Sequence, residues 1–86
     1  MEIERKYSRQ LMGKKVVSRS GKVFGEVNNM FFDIKTGEII QLSLRNTTIY
    51  CNGLDLEKTK QGEVLVPFSA VVATGDFIVL AEEEIL

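Results

Sequence analysis

The chain has no histidine and no tryptophan, and only one cysteine and one proline among its 86 residues. Without imidazole it lacks the commonest general base and the commonest transition-metal ligand, so catalytic triads and dyads built on histidine are excluded. A lone Cys51 has no second cysteine with which to hold zinc or close an intrachain disulfide. Within a strand-like run it reads as a small buried hydrophobe rather than a nucleophile. Gly13-Lys14 and Gly21-Lys22 lack both the preceding glycine spacing and the following Ser or Thr of a phosphate-binding loop. Glu82-Glu83-Glu84 are consecutive and do not converge as ligands of a hard cation must. No cofactor, metal or enzymatic activity is therefore expected.

Long apolar runs are missing too. None approaches the roughly 18 residues of a membrane helix, so membrane insertion is not expected. The opening Met1-Glu2-Ile3-Glu4-Arg5-Lys6 is mixed in charge and is not followed by a signal-like apolar stretch, which points to a cytoplasmic location. Asn46-Thr47-Thr48 matches a glycosylation acceptor, but that modification requires secretion, and a polar loop after a strand is the plainer reading.

Charge is present in balance, with a net of −1. It is unevenly placed. Arg5, Lys6, Arg9, Lys14, Lys15, Arg19 and Lys22 crowd the first quarter, whereas Asp76, Glu82, Glu83 and Glu84 end the chain without a base. Head and tail can pair within or between chains, or serve only solubility; alternatively Arg5, Arg9, Lys14, Lys15 and Arg19 meet an anionic partner such as RNA. The even total argues against nucleic acid.

The length corresponds to one domain with a small core. Residues 1–10 read as an arm or short helix, with Ile3, Tyr7 and Leu11 spaced by four. Residues 11–81 form the domain, and 82–86 an acidic tail. Within the domain, Lys15–Ser18, Phe24–Ile34 and Glu38–Leu44 have strand composition and are separated by Gly-bearing turns, a β-meander. Val27 differs in parity from Met30 and Phe32, so one extra residue near Asn28-Asn29, a β-bulge, is needed to keep them on one face. Met30, Phe32, Ile34, Ile40, Leu42 and Leu44 are then expected inside, with Phe31, Asp33, Ile39, Gln41 and Ser43 outside.

Residues 46–62 admit two readings. One is a hairpin across Asn52-Gly53, with Cys51 opposite Leu54 and Ile49 opposite Leu56; the other is a helical turn from Leu54 to Gln61. Glu63–Pro67 is a strand closed by the proline, Phe68–Val71 a tight helical turn, Val71–Ala73 a short strand and Phe77–Ala81 the last one. Ile78 and Leu80 would fill the interior, which leaves Phe77 and Val79 outside. The turns are marked by Gly13, Gly21, Gly25, Gly37, Asn52, Gly53, Pro67 and Gly75. Four outward apolar residues, Phe31, Ile39, Phe77 and Val79, make a candidate protein interface, covered by a second copy, the N-terminal arm or another protein.

Leu11-Met12-Gly13-Lys14-Lys15-Val16-Val17, Gly21-Lys22-Val23-Phe24-Gly25-Glu26-Val27, Phe32 to Ile40, Val66-Pro67-Phe68-Ser69-Ala70-Val71 and Gly75-Asp76-Phe77-Ile78-Val79 together resemble the PRC-barrel domain. The resemblance implies an all-β fold: a small, strongly bent antiparallel β-barrel of about six strands with one short helical turn. It covers nearly all of residues 11–81. The family includes the cytoplasmic domain of the reaction-centre H subunit, the C-terminal domain of the ribosome maturation factor RimM and short free-standing archaeal proteins. Some of the last group serve FtsZ-based cell division beside the membrane anchor SepF. The expected function is thus that of a non-catalytic adaptor, a homodimer that binds a SepF-like protein. The alternative is a RimM-like ribosome or RNA-processing factor.

Overall fold

The computed structural model describes residues 9–85. Residues 9–11 are helical, and the rest of the expected arm, 1–8, lies outside the described residues. Leu11 is buried and anchors this end in the core.

Six strands follow the β-branched and aromatic runs: β1 (Lys15–Ser18), β2 (Val23–Phe32), β3 (Ile39–Arg45), β4 (Val64–Pro67), β5 (Val71–Thr74) and β6 (Phe77–Leu80). They form one sheet in the order β4-β3-β2-β1-β6-β5. The class is all-β, as expected, but two details of the barrel differ. β1 and β6 run parallel, with Val16 opposite Ile78 and Ser18 opposite Leu80, so the sheet is not purely antiparallel. Nor does its ladder close, since β4 and β5 stand at opposite ends of the order.

The chain does part of what the missing ladder would do. β4 and β5 are consecutive in sequence and joined only by a 3₁₀ turn, Phe68–Ala70. Four residues from Pro67 to Val71 span at most about 14 Å, so the first and last strands of the sheet are tied near one another. An open sheet with tied ends must curl. Its concave side holds Val16, Phe24, Val27, Leu42, Leu44, Val64, Val66, Ile78 and Leu80, with Leu11, Cys51 and Ala70 completing the cluster.

Two bulges assist the curl. On β2, Val27 pairs with Leu44 and Asn29 with Ser43, which leaves Asn28 as the extra residue where parity required one. A second shift, between Phe31 and Phe32, sets Phe32 opposite Ile39 and Phe31 opposite Gln41, and Ile40 becomes the extra residue on β3. This corrects the expected facing of β3. Ile39 packs against the core, while Ile40 is 49% exposed. Ile34, expected inside, sits in the β2–β3 turn and is 99% exposed. Phe32, also expected inside, is 42% exposed.

Residues 46–62 form neither the hairpin nor the Leu54–Gln61 helix. They open with a one-turn helix, α1 (Ile49–Asn52), because Thr48 acts as its N-cap. The Thr48 hydroxyl accepts from Cys51 N at 3.2 Å and donates to Val23 O at 2.6 Å, tying the helix to the start of β2. Gly53 has φ −80°, so Asn52-Gly53 does not make the positive-φ turn of a tight hairpin. Beyond it, Leu65 N donates to Glu57 O at 2.8 Å, Thr59 N donates to Glu63 O at 2.8 Å and Lys58 bridges Val64, so residues 57–59 cover the outer edge of β4.

Of the expected turn residues, Gly13, Gly21 and Gly37 adopt positive φ, whereas Gly25, Gly53 and Gly75 do not. Gly25 is needed for a different reason: a Cβ there would lie 2.8 Å from the Arg45 backbone oxygen. Pro67 ends β4. The unanticipated positive-φ positions are Gly62 and Asn46.

Candidate interaction surface

Residues directly opposite one another in a ladder share a face, so registers locate the outward side chains. Val16, Ser18, Ile78 and Leu80 are buried, and their neighbours Lys15, Val17, Phe77 and Val79 therefore point away from the core. Val17 stands opposite Val23 of β2 and Val79 of β6, and Val79 stands opposite Ala73 of β5. The convex face thus carries an apolar row across four strands, Val23, Val17, Val79 and Ala73. Phe77, 51% exposed, sits two residues along from Val79 and opposite Lys15.

Phe31 and Ile39 do not join this row. Phe31 lies five residues beyond Glu26, the β2 partner of Lys15, or about 16 Å along the strand. It belongs to a second apolar region at the far end of the β2–β3 hairpin with Phe32, Ile34 and Ile40. Phe31 is 37% exposed, whereas Ile39 is turned to the core by the bulge. The four expected contacts therefore fall on two regions, and one of them, Ile39, is not outward. Ile40 takes its place. Adjacent isoleucines carry no parity signal, so the sequence did not reveal the exchange.

Next to the hairpin end, an open groove of about 540 Å³ runs between β3 and the 3₁₀ turn, lined by Asp33, Glu38, Ile39, Ile40, Gln41, Pro67, Phe68 and Ser69. Phe68, which also packs on the core, lines both this groove and a smaller depression of about 220 Å³ bordered by β5.

The basic residues are scattered. Arg19 pairs with Glu83 at 3.2 Å, and Lys14 Nζ donates to the Gly75 carbonyl. Lys15 and Arg9 are exposed, and Arg5 lies outside the described residues. Two of the five proposed phosphate contacts are thus engaged within the fold.

The acidic end is also engaged. Glu82–Glu84 form a second 3₁₀ turn, in which Ser20 Oγ donates to Glu82 at 2.8 Å and Tyr50 Oη donates to the same carboxylate. These bonds hold the Glu82 carboxyl below its usual range, the Tyr50 contribution being the largest, and the same contact raises the Tyr50 phenol. Lys22 lies over the Tyr50 ring at 5.6 Å, and that ring meets Phe24 edge-on at 5.7 Å. Burial pushes the Cys51 thiol up, with Lys58 opposing, so the sulfur is kept in its unreactive form. Among the described residues no three Asp, Glu or Cys side chains converge as a metal site would need, and no helix is long and apolar enough to cross a membrane.

The family model for the PRC-barrel domain matches residues 3–84. A search of curated proteins found no match to the chain. Uncovered apolar faces on so small a sheet fit a binding module.

Proposed function

The chain belongs to the PRC-barrel family, and from that premise we propose that it is a non-catalytic protein-binding adaptor that dimerises through the convex face of β1, β5 and β6. The observation that carries this reading is the apolar row Val23, Val17, Val79 and Ala73 with Phe77 beside it. A two-fold interface uses one patch against itself, and a row of mostly β-branched side chains is self-complementary in chemistry. Lys15 and Glu26, paired at its border, supply the polar rim that such interfaces carry.

Dimerisation through this row leaves the hairpin end with Phe31 and Ile40 open for a different protein. The sequence resemblance to free-standing archaeal members gives the finer reading, a SepF-like partner in FtsZ-based division in the cytoplasm. The RNA reading is not favoured, because Arg19 and Lys14 already have partners in the fold.

Light scattering over a concentration series tests the dimer. The native chain should have twice the monomer mass at micromolar concentration, and Phe77→Glu should return it to monomer while Phe31→Glu should not. A native chain that stays monomeric at 100-fold higher concentration would remove the basis for self-association.

A further inference from the structure

We propose that the groove between β3 and the first 3₁₀ turn is a docking site for a cationic amphipathic peptide segment of a partner protein. It rests on the reading of the chain as a binding module, but not on dimerisation. The groove's apolar lining comes from Ile39, Ile40, Pro67 and Phe68, and the acidic residues Asp33 and Glu38 line it as well. Gln41, also in the lining, donates to a third carboxylate, that of Glu57, at 3.2 Å.

The charges decide the class of occupant. Asp33 Oδ1 is used inside the turn, accepting from Lys35 N at 2.7 Å and Thr36 N at 3.2 Å. Its second oxygen and the Glu38 carboxylate make no ion pair with any described residue. The one cation on the turn, Lys35, is not among the lining residues. An apolar trough with unpaired negative charge in its lining favours a segment with branched or aromatic anchors beside a Lys or Arg, and disfavours an acidic one.

Shape favours a peptide over a small molecule. About 540 Å³ has ample room for several side chains, yet the trough lies open at the surface. Small-molecule sites instead enclose most of the ligand and aim a few polar groups at it. The Ile40 bulge contributes directly, since it places a large apolar side chain outward, in the groove that Phe68 also lines, where regular alternation would have turned it inward.

The test uses two labelled 14-residue probes with leucines at helical spacing, one otherwise of Lys and one otherwise of Glu, titrated into the full chain by fluorescence anisotropy. The Lys probe should bind at least tenfold tighter than the Glu probe, weaken with added salt, and shift amide resonances of residues 38–41 and 67–69. Ile40→Ser and Glu38→Lys, both at exposed side chains, should each weaken the Lys probe at least fivefold without changing the thermal midpoint. Equal binding of both probes, unchanged affinity in both variants, or shifts confined to the convex face would overturn the proposal. Failure here can be told from failure of the dimer: Phe77→Glu should abolish the dimer and leave peptide binding intact, and Ile40→Ser should do the reverse.

Discussion

At the scale of single residues, two side-chain decisions fix how the ends of the fold are held. Gly25 is required by approach rather than by φ. An added Cβ would stand 2.8 Å from the Arg45 carbonyl oxygen and 3.3 Å from two Thr47 atoms, and backbone cannot yield as a flexible side chain can. Gly25→Ala should therefore cost about 2 kcal/mol, within the range for forced overpacking, read as a lower urea midpoint at unchanged slope. Glu82 and Tyr50 make the second decision. The carboxyl is depressed, so its contribution is present above the unfolded value of about 4.3 and is lost as pH falls through the lower folded value. The phenol is raised, so its contribution is present below about 10 and is lost as pH climbs through the higher folded value. Thermal melts across pH should show Tyr50→Phe less stable than the native chain between these limits. The gap should narrow at both extremes, and a gap constant from acid to alkaline pH would show that the contact between the Tyr50 hydroxyl and the Glu82 carboxylate contributes nothing to it.

At the scale of elements, the legible parts were those where sequence offered a conflict to resolve. Val27 and Met30 disagree in parity, and a bulge near Asn28-Asn29 is the cheapest repair; the register puts the extra residue at Asn28. Ile39 and Ile40 present no such conflict. Either can face the core, and the choice falls to the β2 register, which no local pattern encodes. Residues 49–52 show the other way a reading fails. Ile49-Tyr50-Cys51 has strand composition and Asn52-Gly53 is a hairpin signal, yet Thr48 offers a cap bonded to both α1 and Val23. Tertiary bonds outweighed local preference. If so, Thr48→Ala should cost about 1–2 kcal/mol by denaturant unfolding, while Thr48→Ser, which keeps the hydroxyl, should recover most of it. The candidate site was legible only in part for the same reason: Phe31 and Phe77 stand out as apolar residues at outward positions, but the groove joins β3 to residues 67–69 and exists only once the sheet has curled.

At the scale of the whole molecule, the tied but unclosed sheet explains why an apolar face remains outside. A chain of 86 residues can enclose one core cluster, and here the concave side of the sheet takes it. The convex row of β1, β2, β5 and β6 has no second layer among the described residues to cover it. The proposed dimer would supply that layer and would make stability depend on concentration, because unfolding would then release two chains. Each tenfold rise in protein adds about 1.4 kcal/mol to the folded dimer, and for a unit of some 170 residues that corresponds to roughly 3–5 °C in thermal midpoint. Scanning calorimetry of the native chain from 5 to 500 µM should therefore show a midpoint that climbs by several degrees. Phe77→Glu should give a lower midpoint that does not move with concentration. A native midpoint equally fixed over that range would mean that the fold stands alone with its convex face in water, and the row would then have to be assigned to a different protein.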